Sequence, residues 1–448
     1  MSQTSAADIR SVVKTGLVKS MVSLLIKVAT AGLAYLMFVV LSRSMGANAY
    51  GKFAFGFALA TMLSIGAAMG QQTAILRFWP ENMVARAPEK ALNALKSGWA
   101  LVIMAGSALC LALVLVALVL GLVNNNISSF SYLFAASLLI LPMAAAEYGS
   151  SVLRAQGSVW PALLPRDIVW RVLVPVSVWL LYLNNVQLSG AKALALTALL
   201  LSFAMGLQFV AGKRAGYANG VGFKGVGAYW GGQGKASSWF LAGTVLDSAA
   251  LNMDVVLVGL FVASHSAGIY FNAFRTAGLM TLFMFAITLV IAPMVSRHYH
   301  AGELARAQAV TSFCAWAGFL FSVGIFVVFL FFGPLILSLF GPDYSQGAAI
   351  LVILSVGLLA DAATGPTRIV MMMTGHEKAY VRIFGSIMGV GFILQLVAIP
   401  LFGLLGAAIV NAGSRIVAQT AIAIWTHKHV GIDTSLLGVR ALFAMNDK

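Results

Sequence analysis

The chain has 448 residues, of which 60% are hydrophobic and 9% charged. A soluble domain carries about 25% charged residues, so this composition excludes a water-soluble globular protein and implies a polytopic, all-α integral membrane protein. The net charge of +15 would point to nucleic acid in a soluble chain. Here the charges fall in short loops between apolar runs, and no nucleic-acid partner is expected.

Residues 1–20 become basic and amphipathic, with Ile9, Val12, Val13 and Leu17 at helical spacing among Arg10, Lys14 and Lys19. That pattern predicts an interfacial helix on an anionic leaflet, with membrane lipids as its partner. No cleavable signal peptide is expected. Twelve apolar runs follow, most near the ~20 residues that cross the hydrocarbon: 21–41, 53–70, 98–123, 131–153, 167–184, 192–212, 238–262, 271–294, 309–333, 347–374, 381–401 and 405–426. They divide into an N-terminal six-helix bundle (21–212) and a C-terminal one (238–426). A cytoplasmic linker loop (213–237) joins them, and a cytoplasmic tail (427–448) follows.

Lys and Arg alternate from loop to loop. One set of loops and ends carries 21 of the 28 basic residues, and the alternate set only Arg43, Lys52 and Lys192. The positive-inside rule then predicts both ends in the cytoplasm and an even number of spans.

The halves resemble each other. Tyr50-Gly51-Lys52-Phe53, leading to Phe57 and Ala60, matches Ala267-Gly268-Ile269-Tyr270, leading to Phe274 and Ala277, at an offset of 217 residues (267 − 50). Two parallel six-span repeats are a transporter plan, with alternating access by one half rocking against the other.

Eight ionisable residues fall inside spans: Lys27, Glu147, Asp247, Asp254, Arg275, Asp361, Arg368 and Arg415. Each costs about 2.5–3.5 kcal/mol at the bilayer centre unless paired or wetted. Asp247 and Asp254 are seven apart, two helical turns, as are Asp361 and Arg368, with Gly365-Pro366 breaking the helix between the latter two. The four cations Lys27, Arg275, Arg368 and Arg415 are the candidate substrate-binding set for a phosphate or diphosphate. Asp254, Asp247, Asp361 and Glu147 are candidates for ion coupling or ion pairing. Structural ion pairs near the span ends are the alternative for any one of them.

No ATPase motif exists. Gly231-Gly232-Gln233-Gly234-Lys235-Ala236 lacks the first glycine and the Ser/Thr of a P-loop. His298-x-His300 has no acidic cluster beside it, so no metal and no catalytic residue is expected, and no enzyme. No cofactor is expected beyond a coupling proton or sodium ion.

At this point the residues resemble a known family. Ser42-Arg43-Ser44-Met45-Gly46 with Tyr50-Gly51-Lys52-Phe53, then Asn252-Met253-Asp254 before Gly268-Ile269-Tyr270, Leu339-Phe340-Gly341-Pro342-Asp343-Tyr344 and Thr374-Gly375-His376-Glu377-Lys378 resemble the polysaccharide-repeat (Wzx-type) flippases. These belong to the multidrug/oligosaccharidyl-lipid/polysaccharide exporter (MOP) superfamily. The resemblance implies a MATE-like fold in a bacterial inner membrane. It implies translocation of undecaprenyl-diphosphate-linked oligosaccharide to the periplasmic leaflet for O-antigen, capsule or exopolysaccharide assembly. Polymerase and glycosyltransferases of the same pathway are the implied partners. In the related lipid II flippases a basic residue of span 1 and an arginine of span 8 line a cationic cavity, and Lys27 and Arg275 occupy similar places. A proton or sodium gradient often drives the family, and Asp254 is the first candidate for coupling. Two alternatives are a multidrug/cation antiporter of the same superfamily and a membrane-embedded glycan-modifying enzyme.

Overall fold

The computed structural model describes residue 26 and residues 28–218 and 220–439. No strand occurs among them. The interfacial segment 1–20 and the cation Lys27 lie outside the described residues.

The helices run in chain order as α1 (Val28–Ser44), α2 (Ala47–Ala67), α3 (Gln71–Val84), α4 (Pro88–Val123), α5 (Ser131–Ala155), α6 (Trp160–Leu163), α7 (Trp170–Leu183), α8 (Gly190–Arg214) and α9 (Val226–Phe261). Next come α10 (Ser264–Ala277), α11 (Leu282–His300), α12 (Leu304–Ser338), α13 (Ala348–Thr364), α14 (Thr367–Met373) and α15 (Glu377–Val430). Several are segments of one crossing. Met69 and Gly70 turn left-handed between α2 and α3. A 3₁₀ turn, Gly278–Thr281, joins α10 to α11. The 54-residue α15 bends after Pro400 at Gly403 and crosses twice. Among the described residues this gives twelve crossings. Their outer faces carry large exposed apolar side chains, such as Leu111, Leu115 and Leu122 on α4 and Phe331 and Leu335 on α12. So much contiguous apolar surface is stable only in lipid.

The chain forms two units, Met1–Val256 and Leu257–Lys448. In the first, α5 packs against α2, α3, α4 and α8. Its run of Ala144, Ala145, Ala146, Gly149 and Ser150 is buried, and such small residues let helices approach closely where no hydrophobic force drives them together. In the second, α13 holds the corresponding place against α10, α12 and α15.

The internal repeat persists in three dimensions. Ser264 starts α10 217 residues after Ala47 starts α2 (264 − 47), and Ala348 starts α13 217 after Ser131 starts α5 (348 − 131). Phe53 stacks on Phe57 at 5.7 Å and 26°, and Tyr270 stacks on Phe274 at 6.4 Å and 19°. Phe53 and Tyr270 are both fully buried.

Two segments differ from the sequence expectation. The linker 213–237 is helical from Val226 onward, because Tyr229 and Ala236 join a core with Ala74, Phe78 and Ala94 and the Tyr229 hydroxyl donates to Gln71 Oε1 at 2.8 Å. The glycine-rich stretch 231–235 is therefore helix. Beyond α15, where the sequence offered only a tail, residues 432–438 return to their own unit. There Gln308, 1% exposed, clasps Asp433, accepting from its N–H at 2.8 Å and donating to its carbonyl at 2.7 Å. Leu436 N–H donates to the Ala363 carbonyl, and the Thr367 and Thr434 hydroxyls meet at 2.8 Å. The first unit uses the same device after α8. Gln156 accepts from Ala218 N–H at 2.7 Å and donates to its carbonyl at 2.9 Å, while Gly222 N–H donates to the Lys96 carbonyl.

At the turn between α11 and α12, Glu303 Oε2 lies 2.7 Å from His298 Nδ1, and Arg306 donates to both Glu303 oxygens at 3.0 Å. The hydrogen bond to His298, then that to Arg306, holds the exposed Glu303 carboxyl below the ordinary carboxylate range. Stability from this group is present above its unfolded pKa and is lost as pH falls through the lowered folded value. The Glu303→Gln chain should accordingly lose less thermal stability than the parent between about pH 5 and pH 3. Equal declines in the melting temperatures of the two chains would contradict this.

Candidate functional site

The ionisable residues picked out by sequence fall into separate centres. In the first unit Glu147 of α5 makes direct contact with Arg166. Arg166 lies in a π-helical stretch, Leu164–Val169, between α6 and α7. Pro165 interrupts regular bonding there, since it has no N–H to donate, and the wider π turn re-aims its side chains. Beside Arg166 is Asp167, 1% exposed. Arg171 Nη1 is 3.5 Å from the Asp167 carboxylate and donates to the Asp167 carbonyl at 3.1 Å. Arg154 donates to Ser151 Oγ at 2.9 Å. Three guanidiniums thus gather round two carboxylates. Sequence reasoning placed Arg154, Arg166 and Arg171 among loop cations and did not single out Asp167. The available signal was the Asp167–Arg171 spacing of four, one helical turn, at the edge of a span.

In the second unit Arg415 of α15 meets Asp361 of α13, Nη1 to Oδ2 at 3.1 Å. Arg415 Nε also donates to Asn411 Oδ1 at 3.2 Å. Their side chains are 12% and 22% exposed, so the pair is largely desolvated yet not sealed. The break that Gly365-Pro366 predicts between Asp361 and Arg368 is present, and it takes the two residues off a shared helix face. Gly365 adopts φ +70, ψ −160 between them, ending α13 and starting α14 on a new course. Arg368 instead lies with its guanidinium 5.8 Å from the Tyr380 ring centroid.

Arg275 ends α10 just before the 3₁₀ turn and stands 4.9 Å from the Phe271 ring centroid, a cation–π distance. Asp247 and Asp254 share the unbroken helix α9, Asp254 being 5% exposed. The structure therefore joins Asp361 to Arg415, and Glu147 to Arg166, which lay outside the predicted set. Among the described residues no three His, Cys, Asp or Glu side chains converge as a metal site.

Buried ion pairs of this kind fit a protein that handles charge inside a membrane. Comparison with known proteins narrows the kind. Residues 17–299 match the family described as "Polysaccharide biosynthesis protein". The chain belongs to that family. The chain is also similar to two proteins of Haloferax volcanii. "Probable flippase AglR" is 29% identical over 161 residues, 35% of this chain and 34% of the relative. "Probable low-salt glycan biosynthesis flippase Agl15" is 24% identical over 161 residues, 36% of this chain and 34% of the relative. The matched region thus spans about a third of these curated relatives. An inward-facing MATE multidrug transporter of the MOP superfamily superposes with a TM-score of 0.71 at 14% identity, over 90% of this chain and 94% of that one. The lipid II flippase MurJ, in an inward closed conformation, gives 0.69 at 14% identity over 95% and 92%. The fold of the chain is thus MATE-like.

Proposed function

We propose that this chain is a flippase that moves undecaprenyl-diphosphate-linked oligosaccharide repeat units from the cytoplasmic to the periplasmic leaflet. It does so by alternating access in a bacterial inner membrane, with both ends cytoplasmic. Membership of a polysaccharide biosynthesis family carries the reading. The fold shared with MurJ supports it, as do the buried guanidiniums, whose forked donors match phosphate oxygens. Lys27, Arg275, Arg368 and Arg415 hold the diphosphate in this reading, and a proton or sodium gradient drives the cycle through Asp254.

Deletion of the gene tests it. Lipid-linked repeat units should then accumulate on the cytoplasmic leaflet, and the parent chain should restore export. Lys27→Ala and Arg275→Ala at normal protein levels should each restore it less well. Full restoration by both variants would remove these cations from the mechanism. Unchanged surface polysaccharide with altered drug resistance would replace the flippase with the antiporter, which the likeness to the MATE transporter keeps as the second reading.

A further inference from the structure

The first unit contains a cleft of about 430 Å³ whose lining includes no member of the ionic centres. α5 packs against both α4 and α8, and the cleft runs between those two helices with α5 as its floor. Trp99 and Ile103 of α4 form one wall, Phe209 of α8 the other, and Gly149 and Leu153 of α5 the base. Two glycines keep it open. A Cβ on Gly149 would already meet the Trp99 ring at 3.4 Å. One on Gly206, which lines the α8 wall, would meet nothing within 4 Å, so the wall there is set back by a whole side chain.

One end of the cleft is closed and basic. The segment after α8 crosses there toward α4. Gln156 clasps it at Ala218, Val221 lines the cleft, and Gly222 N–H donates to the Lys96 carbonyl at 3.1 Å. A Cβ on Gly222 would lie 3.0 Å from Lys96 Cβ, and one on Gly220 3.5 Å from Lys96 Cε, so the lysine stem lies along this segment. Lys96 is one helical turn from Trp99, Lys213 one turn from Phe209, and Lys224 three residues beyond Val221. Lys213 and Lys224 are exposed and Lys96 half-buried. None of the three has an ion pair among the described residues. Residues 205–225 contain no carboxylate, and the one carboxylate of α4, Glu89, is two turns beyond Lys96.

The two regions ask for one ligand. The cleft is apolar, and Phe209 and Val221 at its edge are exposed, which suits a hydrocarbon chain. Trp99 at the basic end stands where tryptophans mark the headgroup level. Lysines whose stems lie on apolar surface reach out from there with their charged ends. Basic pockets between spans recognise anionic headgroups. A hydrocarbon chain with an anion one helical turn away is a phospholipid. A neutral lipid, or the apolar helix of a partner, would leave the lysines without a counter-charge.

We propose that this cleft holds one anionic phospholipid from the leaflet that the Lys/Arg-rich loops face. Its acyl chain lies over Gly149 and Gly206, and its phosphate among Lys96, Lys213 and Lys224. The site is separate from any glycan path and does not depend on the flippase reading.

The test is native mass spectrometry of the delipidated full chain in neutral maltoside detergent. It is titrated with phosphatidylglycerol and with phosphatidylcholine of identical chains. One phosphatidylglycerol should bind more tightly than the next and than phosphatidylcholine. Each lysine replaced by glutamine should weaken it about fivefold. Lys96→Gln/Lys213→Gln/Lys224→Gln should bring it to the level of phosphatidylcholine. Lys378→Gln/Arg382→Gln/Lys428→Gln removes three exposed cations from the second unit and should change nothing. Gly206→Leu fills the set-back wall and should abolish the tight site with the melting temperature unchanged. Equal binding of the two lipids by the parent overturns the proposal. So does an equal loss in the second-unit variant, which would mean bulk charge attraction, or a tight site that survives Gly206→Leu. Undecaprenyl phosphate displacing phosphatidylglycerol at equal concentration would also overturn it, since the cleft would then be a substrate subsite.

Discussion

Replacing Asp361 with leucine should collapse both the abundance of the protein and glycan export, whereas Asp361→Leu/Arg415→Leu should restore abundance alone. Asp361 and Arg415 meet at 3.1 Å with little exposure. Removing one partner leaves a charge uncompensated, a loss of about 3–5 kcal/mol, while replacing both with apolar residues is often neutral. In lipid the lone Arg415 would bear the further cost of a charge held inside a span. A purely structural pair would let the double variant export normally. Membrane-fraction protein levels and surface polysaccharide, measured together in the two strains, separate these outcomes. Normal export by the double variant would return Asp361 and Arg415 to the class of ordinary ion pairs.

The second large effect is expected at Gly365. Its φ of +70 is left-handed, and a Cβ there would lie 2.1 Å from the Thr434 carbonyl oxygen and 2.9 Å from Ala315 Cβ. A β-branched side chain adds backbone strain of about 1–3 kcal/mol. Worse, it drives the returning segment off the bundle. The Thr367–Thr434 contact and the clasp by Gln308 are then broken, and each buried group left unsatisfied costs about 1–3 kcal/mol. Gly365→Val should lower the apparent melting temperature of the detergent-solubilised chain by about 10 °C, from a loss of roughly 4 kcal/mol. Thr434→Ser keeps the hydroxyl and should leave melting nearly unchanged. A Gly365→Val chain that melts with the parent would show that the segment does not brace the second unit.

The fold was legible because lipid simplifies the code. A span needs an apolar run of sufficient length and every backbone group satisfied within it, so composition alone exposes the crossings. The repeat was legible at Phe53 and Tyr270 because a buried aromatic step tolerates little change. The contents of the sites were harder to see. Glu147 was found as an acid within a span, but its partner Arg166 sits 19 residues away in a π stretch, and no periodicity announces such a contact. Arg415 and Asp361 are 54 residues apart. The break between Asp361 and Arg368 was legible from Gly365-Pro366, and Gly365 does end the helix there, but a break gives no hint of where Arg368 goes afterwards. The returning segment 432–438 was illegible for the opposite reason. Its residues are ordinary turn formers, and their partner Gln308 looks like any polar residue near a helix start.

The two glutamine clasps set a timetable for synthesis. In the first unit Gln156 waits for Ala218, 62 residues downstream. In the second Gln308 waits for Asp433, 125 residues downstream, until every helix described here has left the ribosome. During that interval α12 is threaded into the membrane with the Gln308 carboxamide held only by Ser312, one turn along the same helix, at 2.9 Å. The first unit can therefore mature early, while the second remains exposed to membrane proteases and insertion chaperones until the segment after α15 arrives to close it.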